Sequence, residues 1–280
     1  SIFASVGCPF TCTYCYAPSF NQMHGGFSLT LRPVDAIVAE AQDILRRWPL
    51  RMVYFQDDIF GYSIEWLEEF AKKWKAKVGV SFHCQIRLEL ANHASGDKRL
   101  DLFKSSGCSG ITLAIESGNA FLREQVLFRH MPGEIIEEGC RKILDRGMTL
   151  RTEQILAVPF SDITTDLGTL GLNSRINPTM AWTSILAPYG GTDMGTIATN
   201  LGLYRGDNDD LAESFFDRSI LRHVDGGPRN IEEVISQFQL GSKSLLHLRA
   251  IEGKEENRAV LMYQGGAEVG EIQYLDEDAN

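Results

Sequence analysis

The chain of 280 residues is informative first through what it does not contain. No apolar run approaches the ~20 residues that span a bilayer, so no membrane-spanning helix is expected. No basic start precedes a long apolar stretch, and Ile2–Val6 is too short for a signal peptide. Basic residues are not in excess. The 27 Lys and Arg stand against 37 Asp and Glu, and the net charge of −10 argues against a broad nucleic-acid groove. A small-molecule or peptide substrate remains compatible with that balance. There is no low-complexity tract and no internal repeat beyond an alternation of strand and helix patterns. There is also no initial methionine: Ser1 leads straight into the first expected strand. The expectation is therefore an N-terminal segment that has been lost or resides elsewhere.

Cysteine is scarce and unevenly placed. Three of the six cysteines, Cys8, Cys12 and Cys15, are crowded near the start; Cys84, Cys108 and Cys140 are scattered in apolar contexts. Disulfide frameworks belong to small secreted domains, whereas this spacing suits a metal site in a reducing, cytoplasmic compartment. The scattered three read as buried core thiols.

What is present is globular composition, 44% hydrophobic and 23% charged, with a repeating order. β-branched or apolar runs occur at Ile2–Val6, Met52–Gln56, Val78–Cys84, Gly110–Ile115, Leu150–Val158 and Met180–Leu186. Amphipathic stretches at Val34–Trp48, Ile64–Lys75, Lys98–Ser105, Gly118–Val126, Glu134–Arg146 and Thr165–Leu172 lie between or beside them. Pro33 marks a helix start, Gly107 and Gly147 mark helix ends, and Asp162 suits a cap. Successive βα units predict an α/β fold with a parallel sheet. Six units fall short of a closed (β/α)8 barrel, so the expectation is a partial (β/α)6 TIM-like barrel over residues 1–204. The pattern changes after Tyr204. Residues 205–280 read as a C-terminal α+β extension, with a polar loop at Gly206–Asp210, a long helix at Ile231–Ile251, and a hairpin of Ala259–Tyr263 with Glu271–Leu275 around Gly265–Gly266.

The segment Gly7-Cys8-Pro9-Phe10-Thr11-Cys12-Thr13-Tyr14-Cys15 directly follows the first strand. Ligand sites of parallel α/β sheets gather at the carboxyl ends of strands. A 4Fe–4S cluster normally takes four thiolates, so three leave one iron open to a substrate or cofactor. Three cysteines with His24 are the alternative, as a structural zinc site.

With its C-x3-C-x2-C spacing and the aromatic Tyr14 before the last cysteine, the chain resembles the radical S-adenosylmethionine (SAM) superfamily. The likeness covers roughly residues 1–204 and extends to the later strand ends. The second strand ends in Gln56, Asp57 and Asp58, where many members carry Gly-Gly-Glu for the SAM amino group; a carboxylate or carbonyl there still accepts from that ammonium. Asp57-Asp58-Ile59-Phe60 resembles the branch that includes cobalamin-dependent enzymes. Gln85 and Arg87 resemble that branch's polar-x-Arg pair. Ile115-Glu116-Ser117-Gly118 resembles the ribose-facing strand, implying Glu116 and Ser117 as ribose contacts. Arg129 falls where a family arginine pairs with the methionine carboxylate, with Arg123 as the alternative. Ala157 stands where the family's Gly-Leu-Pro has Gly, and Pro188-Tyr189-Gly190-Gly191-Thr192 resembles the turn after the sixth strand.

The resemblance implies an enzyme that uses a 4Fe–4S cluster and S-adenosylmethionine to form a 5′-deoxyadenosyl radical, with an electron donor as partner. Cobalamin-dependent methylation is the leading sub-class, although no Asp-x-His-x-x-Gly run is present. Cobalamin would then come with a cobalamin-binding domain or chain. A cobalamin-free epimerase or rearrangement enzyme is the alternative reaction. A non-catalytic zinc or iron–sulfur module is the alternative class.

Overall fold

The structure is a computed structural model that describes residues 1–26, 29–213 and 219–222, together with the strands His247–Ala250, Arg258–Met262 and Glu268–Gln273. Its centre is a five-stranded parallel sheet in the order β3 (Met52–Tyr54), β4 (Ser81–Ile86), β5 (Cys108–Glu116), β6 (Thr149–Leu156) and β7 (Met180–Ile185). The sheet curls into a half-barrel, as a partial TIM-like barrel requires. The first expected strand, Ile2–Val6, is split between two partners. Ile2 bridges Phe55 in parallel, donating its N–H to Tyr54 O at 2.9 Å and accepting from the Gln56 N–H at 3.0 Å. Its continuation, β1 (Ser5–Val6), pairs antiparallel with β2 (Thr30–Leu31), a strand that the sequence pattern did not suggest.

The crossover helices start and stop where local chemistry dictates. Pro33 precedes α2 (Val34–Arg47), whose first turn needs no N–H from proline; α1 (Ala17–Met23) comes before it. Ser63 caps α3 (Ile64–Lys77) through the Trp66 N–H. A short α4 (Leu88–Asn92) precedes α5 (Gly96–Ser106), which ends on left-handed Gly107. α6 (Gly133–Asp145) runs to Gly147, also at positive φ. Asp162 and Thr165 form a reciprocal capping box on α7 (Ile163–Ile176). α8 (Asp193–Asn200) follows β7 and is capped by Thr192.

Alternation along each strand separates two environments. Phe82, Cys84 and Ile86 of β4 and Ile111, Leu113 and Ile115 of β5 face a core shared with helix residues Phe70, Trp74, Leu100, Phe103, Ile136 and Ile143. Phe55 packs there against Phe60, Trp74 and Phe82 with ring centroids 4.6, 5.2 and 5.5 Å apart. Each such side chain contributes ~1.5–3 kcal/mol on burial. Cys84, Cys108 and Cys140 are buried. The other face is polar. His83 stacks on Tyr54, bonds Thr112 Oγ1 at 2.7 Å, and neighbours Gln85, whose Nε2 donates to the Tyr54 hydroxyl at 3.3 Å. On β6, Arg151 pairs with Glu153 at 2.7 Å and lies 4.5 Å from the Trp182 ring of β7.

That inner face carries a pH signature. Burial, reinforced by the Arg151 cation, lowers His83 from 6.5 to about 4. The unfolded chain therefore binds the proton first as pH falls. The stability contributed by neutral His83 is complete above pH 6.5 and is lost progressively as pH falls to about 4. The unfolding free energy from urea titrations is expected to fall across that window, and His83→Gln is expected to flatten the slope.

Three expectations are corrected. Gly118–Val126 is not a continuous α-helix: Ala120 and Phe121 are α-helical, Leu122–Val126 takes π form, and the Val126 and Leu127 carbonyls at its end accept from Thr13. Val78 ends α3 instead of starting a strand. The expected helix over Ile231–Ile251 does not hold at its end, where β8 (His247–Ala250) pairs antiparallel with β9 (Arg258–Met262). The rest of that expected helix lies outside the described residues. β9 pairs in turn with β10 (Glu268–Gln273), antiparallel with a bulge between Glu268 and Gly270. Of the expected hairpin, Tyr263, Gly265, Gly266, Tyr274 and Leu275 lie outside the described residues. Among the described residues no helix is long and apolar enough to cross a membrane.

Candidate functional site

The cysteine loop leaves β1 through Gly7, whose φ of 91° suits glycine, and lies at the carboxyl end of the sheet. Thr13 fixes it from both sides. Its N–H and hydroxyl donate to Leu127 O at 3.2 Å and Val126 O at 2.7 Å, and its carbonyl accepts from the Met194 N–H at 2.8 Å. Asn21 Nδ2 donates to Cys8 O at 2.8 Å. Tyr14 reaches over to β5 and donates to Glu116 Oε1 at 2.5 Å. Cys12 is buried, and Cys8 and Cys15 are half-buried.

Two guanidiniums point at Cys12 Sγ. Arg87 Nη1 is 3.2 Å away and Arg129 Nη1 is 4.0 Å away. Arg129 also donates to Ala114 O at 2.6 Å, while its Nε is buried without a partner. Arg123 is committed elsewhere, donating to the Ser117 and Met131 carbonyls at 2.8 and 2.6 Å. Arg129, and not Arg123, is therefore the arginine at the cysteine loop.

The remaining expected residues divide by environment. Asp58 is exposed and accepts from the Tyr16 hydroxyl at 2.6 Å. Gln56 is exposed beside it. Asp57 is fully buried and committed to the first strand, taking the Ala4 N–H at 3.0 Å and the Ser5 hydroxyl at 2.5 Å. Ser117 Oγ is turned to the Asn119 N–H at 3.1 Å. Gln85 lies deeper on the inner face, two residues before Arg87. Glu116 has a φ of 69°, and Ala157 at the end of β6 has a φ of 57°. Alanine thus adopts a left-handed backbone that glycine would enter at less cost, with its N–H held by Asp166 Oδ2 at 3.2 Å. Tyr189 is half exposed beyond β7.

The Asp57 anchor has a measurable weight. Asp57→Ala leaves the Ala4 N–H and Ser5 hydroxyl buried without acceptors, which costs about 2–3 kcal/mol. Urea unfolding is expected to show that loss, with Asp57→Asn losing less because one acceptor oxygen remains.

Electrostatics set the charge states. Burial raises Glu116, opposed by Arg129 and the Tyr14 hydroxyl. Burial also pulls Arg129 down, but Tyr14, Glu116, Cys12 and Glu89 more than offset it, and the net shift is upward. Arg129 therefore stays cationic. Burial raises the Cys8 thiol and pushes Cys15 up to about 11, so a bound metal must supply the drive to deprotonate them.

The donor set can be compared with the needs of each metal group. One zinc ion holds thiolates about 4 Å apart, as a Zn–S bond of ~2.3 Å and tetrahedral angles require. Among the described residues no three His, Cys, Asp or Glu side chains converge on one ion. The His24 ring instead lies 4.3 Å from that of Phe20. Three thiols on one loop, with cationic donors at the buried one, fit a cluster whose irons each take one thiolate. Sequence reasoning missed Thr13, Tyr16, Phe10 and Glu89 as parts of this site. Only Glu89, two residues after Arg87, offered a local signal.

The sequence model of the Radical SAM superfamily matches residues 2–162, more than half of the chain, and the chain belongs to that superfamily. No curated protein matches the chain in sequence. In fold it is similar to the radical S-adenosylmethionine methyltransferase TsrM from Kitasatospora setae, solved with cobalamin and a [4Fe-4S] cluster; identity is 18%, TM-score 0.59, and the match covers 71% of this chain and 39% of TsrM. It is also similar to OxsB, a cobalamin-dependent S-adenosylmethionine radical enzyme, at 17% identity and TM-score 0.54 over 71% of this chain and 29% of OxsB. Coproporphyrinogen III oxidase (HemN) from Escherichia coli, a radical SAM enzyme, matches at 13% identity and TM-score 0.53 over 88% of this chain and 52% of HemN. The likeness at these identities is one of fold, and the chain spans well under two thirds of each relative. The superfamily's fold implies a 4Fe–4S cluster and S-adenosylmethionine.

Proposed function

We propose that the chain is the catalytic barrel of a radical SAM enzyme that acts on a small-molecule or peptide substrate, with cobalamin-dependent methylation as its reaction. The observation that carries the radical reading is the three-thiol loop at the carboxyl end of the sheet, with the Arg87 and Arg129 guanidiniums turned to Cys12. Cys8, Cys12 and Cys15 would hold the cluster, which when bound would supply the one electron needed to cleave a carbon–sulfur bond of S-adenosylmethionine into methionine and a radical able to take hydrogen from the substrate. The protein's part is orientation and exclusion of water. Arg129, held cationic, receives the methionine carboxylate. Asp58 and Gln56, exposed beside the loop, accept from the methionine ammonium. Glu116 accepts from the ribose hydroxyls next to Tyr14, with Ser117 at the adjoining turn. Gln85 and Arg87 line the same wall, and Asp57 contributes by fixing the strand that delivers Cys8. Residues 1–204 form this barrel, and 205–280 act as an extension that shapes the substrate side.

The cobalamin reading is supported by Asp57-Asp58-Ile59-Phe60 and by the fold likeness to TsrM and OxsB. It requires a cobalamin-binding domain or chain, an electron donor and a reducing cytoplasm. Hydroxocobalamin added to anaerobically reconstituted, cluster-loaded protein is expected to change its visible spectrum. An unchanged spectrum in protein that still forms 5′-deoxyadenosine favours a cobalamin-free epimerase or rearrangement enzyme.

A further inference from the structure

Arg87 is 4% exposed, and three of its surfaces are engaged. Its guanidinium carbon stands 3.6 Å above the centroid of the Phe10 ring. Nε and Nη2 form a fork on the Glu89 carboxylate, with Nε 3.1 Å from Oε1. Nη1 is left to donate to Cys12 Sγ at 3.2 Å. The other two cysteines are treated differently. Cys8 and Cys15 meet neutral backbone N–H groups, from Phe10 and Ala17. The loop therefore places cationic donors on one sulfur only, and that sulfur is the buried one.

We propose that Arg87 sets the reduction potential of the cluster through Cys12, with Phe10 and Glu89 holding it in place. This rests on the reading that the three cysteines hold a 4Fe–4S cluster. In the couple concerned, one electron enters the cluster from an external reductant and no bond is made or broken. The reduced form carries one more negative charge, so a cation donating to a ligating sulfur stabilises it preferentially. Hydrogen bonds to sulfur and local charge are established controls of such potentials. A buried position strengthens the effect, because little solvent screens it. Glu89 works in the opposite sense: it orients Arg87 but offsets part of its charge. Arg129, farther from the sulfur and next to Glu116, adds a weaker contribution of the same sign. Arg87 is thus a positioning residue that tunes how readily the electron is given up.

The experiment is a potentiometric titration of the anaerobically reconstituted full chain, with dithionite and redox mediators, read by the electron paramagnetic resonance signal of the reduced cluster in the absence of SAM. Arg87→Met is expected to lower the potential. At the wild-type midpoint its ratio of reduced to oxidised cluster falls about tenfold, equivalent to ~59 mV for a one-electron couple. Arg87→Lys, which keeps the charge without the fork, falls between the two. Glu89→Gln is expected to move the potential upward, opposite to Arg87→Met. Equal midpoints for wild type and Arg87→Met at equal iron content overturn the proposal. So do shifts of Arg87→Met and Glu89→Gln in the same direction, which mark a packing disturbance. If Arg87→Met does not retain iron, Glu89→Gln decides alone: an upward shift supports the proposal, and no shift or a downward one overturns it. A wild-type chain that takes up no cluster defeats the functional reading itself, whereas a cluster indifferent to Arg87 defeats only this inference.

Discussion

Cys12→Ala protein, reconstituted anaerobically with iron and sulfide, is expected to lose the cluster and form 5′-deoxyadenosine only at background. Cys12 is the deepest of the three thiols, and Arg87 and Arg129 both turn toward its sulfur. Removing it leaves two thiolates on a partly exposed loop and two cations with less negative charge to face. Cys84→Ala and Cys140→Ala are the informative controls. Both thiols are buried among apolar side chains, so each substitution costs stability, about 1 kcal/mol for a small cavity, but leaves iron content unchanged. Iron and acid-labile sulfide per chain, measured on all three variants, separate a cysteine that binds from cysteines that pack. Equal iron in Cys12→Ala and wild type contradicts the assignment.

Arg129→Met has the largest expected effect on stability. The side chain is buried beside Glu116, Tyr14 and Cys12, and its Nη2 bonds Ala114 O. Methionine keeps much of the length but leaves Glu116 as an uncompensated buried carboxylate. Breaking a buried charge pairing of this kind costs roughly 3–5 kcal/mol. Glu116, already raised by burial, then rises further. The loss is therefore expected to be largest near neutral pH and to shrink as acid protonates Glu116. Combining Arg129→Met with Glu116→Gln removes the stranded charge, and the double variant is expected to recover ~0.5–3 kcal/mol relative to the sum of the single losses. Urea unfolding of the four proteins measures this. Strict additivity contradicts a direct coupling across the loop.

Local signals carried much of the fold. Pro33, Gly107 and Asp162 act through their own backbones, and the structure uses each where the sequence placed it. Alternation of strand and helix patterns likewise depends on short-range periodicity, so the parallel sheet was readable. What escaped depends on contacts distant in sequence. β2 exists because Thr30–Leu31 meets Ser5–Val6, and Thr30–Leu31 has no strand pattern of its own. The Val126 and Leu127 carbonyls accept from Thr13, and the amphipathic period of Gly118–Val126 says nothing of Thr13. At the site the same division holds. The cysteine spacing is local, and the family resemblance added the strand ends. The commitment of Asp57 to β1 and the seating of Arg87 on Phe10 are tertiary facts. The choice between Arg123 and Arg129 needed the structure, since both follow the same strand and only their hydrogen-bond partners tell them apart.

The central claim is that this loop, in this barrel, drives reductive cleavage of S-adenosylmethionine. Anaerobically reconstituted protein incubated with S-adenosylmethionine, with and without dithionite, and analysed for 5′-deoxyadenosine tests it most directly. The account predicts 5′-deoxyadenosine that depends on dithionite, scales with cluster content and disappears in Cys12→Ala. Protein that takes up zinc in place of iron, or a fully loaded cluster that yields no 5′-deoxyadenosine under reduction, contradicts it.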